Sequence, residues 1–407
     1  MRIRALSRHH NRGKSAFLEV PYNQNRRRFL QYSFMGLSAF VGNSLLLPST
    51  ANSYPTLDSI GDLQSPDKNG VRLPEGFTSR IVARSGHNYF GYHWHGAPDG
   101  GATFTADDGG WFYVSNSEID KGKGGVGSLR FDKDGKLVDA YTILNNTSRN
   151  CAGGPTPWGT WLSCEEIDLG QVWECDPYGK NDPVLRKALG SFTHEAVAVD
   201  TNTMQLYLTE DKRDGCLYRY SAKTTNAHGY PDLDDGILEV AEIINGKEGK
   251  LRWHLLPDPL AMKIPTRKQV KQSSRFNGGE GIWYHQGSIF FTTKGDNRVY
   301  AYDIKNTDLS IIYNAALYIW PVLTGVDNIT SNASGELLVA EDGGDLQIVV
   351  ITKSGETIPL LQLVGHDRSE ITGPAFSPDG SRLYFSSQRG MTGRSADGIT
   401  FEITGLF

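Results

Sequence analysis

The sequence predicts an all-β fold, a six-bladed β-propeller, from three observations. One hairpin unit recurs six times, its spacing suits a four-stranded blade, and helical periodicity is absent over any long stretch. The unit is a turn with Gly or a polar pair, a short β-favouring run, then an acidic or amide residue. In chain order the copies are Gly109-Gly110-Trp111-Phe112-Tyr113-Val114 before Glu118, Gly159-Thr160-Trp161-Leu162 before Glu165-Glu166, and Met204-Gln205-Leu206-Tyr207-Leu208 before Glu210-Asp211. Then come Gly287-Ser288-Ile289-Phe290-Phe291 before Asp296, Gly335-Glu336-Leu337-Leu338-Val339 before Glu341-Asp342, and Gly380-Ser381-Arg382-Leu383-Tyr384-Phe385 before Gln388. Between 109 and 380 the copies recur about every 54 residues. Each has an earlier strand before its turn, as in 194–200 and 373–379, and Pro378-Asp379-Gly380 is turn chemistry that closes a hairpin.

Length alone would admit two average domains, but closed all-β folds use 407 residues as one unit, so 52–407 is expected to be a single propeller domain. The gap between the third and fourth copies, about 83 residues, implies an insertion around 225–274. Its cations Lys263, Arg267, Lys268 and Lys271 read as a solvated loop. Aromatic content of 11% excludes disorder for the bulk of the chain. A net charge of -5 gives no electrostatic case for nucleic acid or an anionic membrane as partner. An anionic small molecule must therefore be drawn locally, by metals or arginines.

Residues 1–51 have a different character. A basic stretch ends in Asn25-Arg26-Arg27-Arg28-Phe29-Leu30-Gln31, the twin-arginine export pattern, and an apolar run extends from Phe34 to Leu47. That run is too short and too rich in Gly and Ser for a comfortable membrane span of about 20 residues. The expectation is a cleaved signal peptide that engages the twin-arginine export machinery, a periplasmic or secreted location, no stable membrane anchor, and a monomer. Cys151, Cys164, Cys175 and Cys216 allow three disulfide pairings, but buried thiols or a metal ligand fit equally well.

In an antiparallel hairpin the start of the first strand lies beside the end of the second. Residues before strand one (Cys151, Glu195, Glu280, Asp327-Asn328, Glu370) and after strand two (Glu118, Glu165-Glu166, Glu210-Asp211, Asp296, Glu341-Asp342, Gln388) therefore belong at one end of the blades. So many carboxylates at one mouth repel unless cations neutralise them. Oxygen-rich sites suit Ca²⁺ or Mg²⁺, whereas the thiolate of Cys151 selects a softer metal such as iron or zinc. Arg275, Arg389 and Arg394 lie near this mouth in sequence, with Arg275 and Arg389 the candidates for bidentate contact with phosphate. His93, His95 and Asp99 have a spacing open to metal binding or to an ordinary hydrogen-bonded pair. Asp132, Asp134 and Asp379 read as turn residues. No zincin helix, nucleophile elbow or P-loop is present.

At these residues the sequence resembles the PhoX-type alkaline phosphatase family. The likeness is carried by Val114-Ser115-Asn116-Ser117-Glu118, the segment from Asn150-Cys151-Ala152-Gly153-Gly154 to Ser163-Cys164-Glu165-Glu166, Phe192-Thr193-His194-Glu195, Gly279-Glu280-Gly281 and Glu370-Ile371-Thr372-Gly373-Pro374. It implies a six-bladed propeller with an Fe³⁺ and Ca²⁺ cluster, a cysteine thiolate on iron, and hydrolysis of phosphate esters. Residue by residue it assigns Cys151, Glu118, Glu195 and Glu280 to iron or bridging positions, and Glu165, Glu166, Asp327 and Glu370 to calcium. The chain departs from the family at Gln388-Arg389-Gly390, where His-Pro-Gly is more usual. On this reading no side chain is the nucleophile: an oxide or hydroxide held by ferric iron attacks, and calcium offsets phosphoryl charge. The rival readings are a calcium-dependent lactonase or esterase propeller, in which Asp327-Asn328 would serve but Cys151 would have no role, and a non-enzymatic binding propeller.

Overall fold

The computed structural model describes residues 56–407; the expected twin-arginine leader lies outside them. The described chain is all β, its helical segments being single three-residue 3-10 turns. No helix among the described residues is long and apolar enough to cross a membrane.

The organising element is the inner hairpin, present six times. Its first strands are Pro98–Thr105, Asn150–Pro155, His194–Val199, Gly279–His285, Val326–Ser331 and Ile371–Phe376. Each pairs antiparallel with the next strand in the chain: Trp111–Ser117, Trp161–Glu165, Leu206–Glu210, Ser288–Thr293, Leu337–Glu341 and Arg382–Ser387 respectively. The first strands pack on one another in sequence, and the sixth packs on the first, so they form a closed ring in a propeller-like arrangement. Small residues permit this crowding. At Gly154 a side chain would overlap the Val197 carbonyl of the neighbouring inner strand.

Further strands extend each hairpin outward. Thr78–Arg84 pairs with Ile399–Thr404, so a strand from early in the chain completes the last sheet and ties the two ends of the ring together. Between sheets the core is apolar, with Leu338, Ile348, Leu360, Phe385 and Phe401 buried in one cluster, and each such side chain contributes about 1.5–3 kcal/mol of burial.

The expected insertion at 225–274 needs redrawing. Gly236–Ile243 is the fourth strand of the third sheet, pairing with Leu217–Ala222, and only the chain beyond Ile243 is extra. There, Gly249–Leu255 pairs with Gly236–Ile243 on one side and with Asp308–Asn314 on the other, fusing two four-stranded units into one nine-stranded sheet.

Candidate metal centre

Every inner hairpin carries a bulge near the same end, where two residues of the first strand face one of the second. A bulge bends the strand and re-aims the unpaired side chain. The first residue of the bulge is Asp99, Cys151, Glu195, Glu280 and Asp327 in five hairpins and Gly373 in the sixth. Five of the six bulges thus present a metal-binding group at the axis.

A second ring lies just past strand two. The backbone N–H of Glu118, Glu166, Asp211, Lys294, Asp342 and Gln388 donates in turn to the carbonyls of Ala97, Arg149, Thr193, Gly278, Gly325 and Glu370. This repeated bond identifies six equivalent positions: four acids, one lysine and one glutamine. The residue just before each acid turns away in three hairpins. Glu165, Glu210 and Glu341 accept the backbone N–H of Gln171, Cys216 and Gln347, each six residues further on, and so clamp the loop that leaves the strand.

The two rings enclose a cavity of about 190 Å³ lined by nine carboxylates, Cys151, Arg149, Lys294 and Arg389. Cys151 donates to Glu195 Oε1 across 3.4 Å and lies 3.8 Å from Asp99 Oδ2. Four groups bring ligand atoms within 4.8 Å of one another: Cys151 with Glu166 and Glu195, Asp99 with Glu118 and Glu370, Glu195 with Glu280 and Asp327, and Asp327 with Asp342 and Glu370. The cations are interleaved. Arg149 bridges Glu118 and Glu166 at 2.7 Å each, Lys294 lies 3.1 Å from both Glu280 and Asp342, and Arg389 lies 3.0 Å from Glu370. Gln388 donates to Asp99 at 2.5 Å and to Glu118 at 2.8 Å.

Burial first, and neighbouring acids second, push Asp99, Glu195, Glu280 and Glu370 well above the ordinary carboxylate range. Asp327 is raised to about 7 and Glu166 to about 8, again chiefly by burial. The Cys151 thiol is pushed up by burial and by Asp99 and Glu195. Three basic side chains therefore leave most of the acid charge unbalanced. Glu195 Oε2 is buried with no hydrogen-bond partner, a costly state for a carboxylate oxygen unless a cation meets it. The donor set, one sulfur among many carboxylate oxygens, fits a mixed site of softer and harder metal ions.

The family model for alkaline phosphatase PhoX matches residues 123–172 and 167–310, which span the second, third and fourth inner hairpins with their acids and Cys151. Over this stretch the chain matches the PhoX-type alkaline phosphatase family. PhoX of Pseudomonas fluorescens, solved in complex with vanadate, a transition state analogue, has a TM-score of 0.71 at 17% identity, covering 84% of this chain and 97% of that one. A gluconolactonase from Xanthomonas campestris, XC5397, has a TM-score of 0.50 at 10% identity, covering 86% and 99%. At such identities the likeness speaks for the fold. No curated protein matches the sequence.

Of the sequence-predicted residues, Cys151, Glu118, Glu195, Glu280, Glu166, Asp327 and Glu370 all face the cavity, as does Arg389. Glu165 does not: it accepts the N–H groups of Ser148 and Gln171, so the expected calcium ligand is a loop clamp. Arg275 also lies outside, its Nη1 donating to Cys216 Sγ and Ser273 Oγ, so the expected phosphate contact is absent there. Asp296 is spent on Arg298, and Arg267 of the expected surface loop is tied to Glu210 and Asp214. His95 is half-buried and hydrogen-bonded between Tyr92 and Ser115, whereas Asp99 of the same motif enters the metal cavity. All four cysteines are free thiols.

Sequence reasoning did not single out Arg149 or Lys294, and it did not put Asp99 in the inner ring. Lys294 was hidden by reading Asp296, two residues later, as the fourth hairpin's terminal acid. Asp99 was hidden because its hairpin is longer: 19 residues separate Pro98 from its partner Ser117, against 15 between Val326 and Glu341.

Proposed function

We propose that this protein is an exported metal-dependent phosphatase that hydrolyses phosphate esters at an iron and calcium centre in the mouth of a six-bladed propeller. The observation that carries the reading is the convergence of Cys151 and nine carboxylates, one with an unpartnered buried oxygen, in a chain that matches the PhoX family over residues 123–310. Six blades result if the nine-stranded sheet is counted as two units joined by Gly249–Leu255, which gives one blade per inner hairpin. The described residues, 56–407, then form one domain.

Cys151, Glu118, Glu195 and Glu280 are the residues we assign to Fe³⁺, with Asp99 and Glu166 beside them. Asp327, Asp342 and Glu370 are assigned to Ca²⁺. When bound, such ions lower the pKa of water and offset the charge on phosphoryl oxygens. The lining contains no serine, threonine or histidine, and the raised thiol of Cys151 makes it a poor nucleophile at neutral pH. The protein's own contribution is to orient. Arg389, braced by Glu370, directs its guanidinium at the entering phosphoryl group, while Lys294, held charged by Asp327 and Glu280 against the penalty of burial, keeps the acids between hairpins four and five at fixed spacing.

The lactonase alternative shares the fold, as the gluconolactonase likeness indicates, but leaves Cys151 without a role. Metal analysis of protein purified from its native compartment, with assays on 4-nitrophenyl phosphate and on a simple lactone, separates the readings. Iron, calcium and phosphatase activity are expected. Lactone hydrolysis without phosphatase activity or iron would remove the proposal. Export is tested separately: replacing Arg26 and Arg27 with Lys should leave folded precursor in the cytoplasm, and normal periplasmic levels of that variant would sink the routing assignment.

A further inference from the structure

A second pocket, of about 540 Å³, opens beside the metal cavity and is lined by Gly365, Asp367, Arg368, Met391, Thr392 and Arg394. Its two walls are the turn before the sixth inner strand and the loop after that strand's partner. Arg389 is the partition between the two spaces. Its guanidinium lines the metal cavity, its Nε donates to the Arg368 carbonyl at 3.4 Å, and its own carbonyl accepts the N–H groups of Gly393 and Arg394. A group bound against Arg389 therefore has the second pocket directly behind it.

We propose that this pocket holds the alcohol portion of the ester, and that it selects alcohols carrying a second anionic group, a carboxylate or a further phosphate. The proposal rests on the phosphatase reading and names a substrate class for it. Its basis is the pairing pattern of the arginines. Arg149 and Arg389, which line the metal cavity, are each engaged with carboxylates, whereas Arg368 and Arg394, both exposed, make no salt bridge among the described residues. Arg368 is nonetheless placed rather than loose: Gly393, at φ +72°, packs so closely that a Cβ there would come within 2.6 Å of Arg368 Cβ and 3.0 Å of its Cδ. The loop carrying Arg394 is held by Asp397, which accepts the Thr392 N–H at 2.9 Å. Two guanidiniums against the single acid Asp367 leave the pocket net positive, and Met391, 65% exposed, offers an apolar surface for the carbon chain between the two anions. Guanidinium forks match carboxylate and phosphate oxygens.

The test is a matched pair of esters, glycerol 3-phosphate and 3-phosphoglycerate, which differ chiefly by one carboxylate. The metal-loaded enzyme should show KM about tenfold lower for 3-phosphoglycerate, the scale of one well-placed charge-assisted contact. The double variant Arg368→Gln with Arg394→Gln should lose that preference while its kcat/KM for glycerol 3-phosphate stays within about twofold, which also certifies its folding. An equal loss for both esters, or a preference that survives the double substitution, overturns the proposal. A second arm needs no turnover: calorimetry should show 3-phosphonopropionate binding about tenfold tighter than propylphosphonate to the wild type, and equally to the double variant. If neither ester is hydrolysed, the phosphatase reading fails, and this binding preference still decides whether the pocket recognises a second anion.

Discussion

Cys151 is the residue on which the chemistry turns. Its thiol sits in a bulge, aimed at Glu195 and Asp99, where burial and acids keep it protonated unless a metal takes the proton's place. Cys164, on the paired strand, is buried among Leu162, Val172 and Val197 and has no cavity-facing role. Cys151→Ser is therefore expected to remove the visible sulfur-to-iron absorption, lower iron content, and cut phosphatase rate by about 100-fold or more, since loss of a direct ligand exceeds the 10–100-fold cost of disturbing its supports. Cys164→Ser should keep colour and rate. A coloured, fully active Cys151→Ser protein would remove the iron-thiolate assignment. Cys151 was legible in the sequence because thiol chemistry among repeated acids has few other uses. Lys294 was not, because a lysine among acids reads as an ordinary surface charge until the backbone bond to Gly278 shows it at a position that is acidic in four of the other hairpins.

At the scale of the hairpin, the doublets Glu165-Glu166, Glu210-Asp211 and Glu341-Asp342 divide their labour. Successive residues of a strand point to opposite sides, so one acid of each pair had to leave the cavity. The sequence places the doublets at the right end but does not say which member turns inward, since the bulge and the departing loop decide that. The outward member is structural. Glu341 accepts Thr324 N–H at 2.8 Å and Gln347 N–H at 2.9 Å, joining the loops on both sides of the fifth hairpin. Glu341→Ala strands two backbone donors and should destabilise the protein by about 1–3 kcal/mol, with metal content per folded molecule unchanged. Asp342→Asn should do the reverse, lowering calcium content with little loss of stability in the metal-free protein. Chemical denaturation with metal analysis distinguishes them, and equal metal loss in both variants would refute the division. The hairpins themselves were legible because turn residues and β-favouring runs recur on a fixed interval, whereas the strand Gly249–Leu255, which fuses two sheets, breaks that interval and read as an insertion.

For the molecule as a whole, the ring of inner strands forces acids from all around the chain into one small volume, and this ties stability to both pH and metal. Carboxyl groups raised by burial bind protons in the folded state that they release in the unfolded chain, where carboxylates titrate near pH 4. Between that value and the folded values, about 7 for Asp327 and about 8 for Glu166, the folded state holds more protons, so stability falls as pH rises. Above this window the full repulsion is present unless cations offset it. The chelated protein should accordingly lose melting temperature steadily from pH 5 to pH 8. Added Ca²⁺ should restore little at pH 5, where the acids are largely protonated, and several degrees at pH 8, where binding at 100-fold excess over Kd would contribute about 2.7 kcal/mol. Mg²⁺ should restore less, because its small octahedral shell fits a wide carboxylate ring poorly. Thermal melts of chelated and Ca²⁺-replete protein across this range check the coupling. A chelated protein more stable at pH 8 than at pH 5, or a calcium effect that does not grow with pH, would mean that the converging acids are balanced within the chain and that no metal is needed to hold the mouth together.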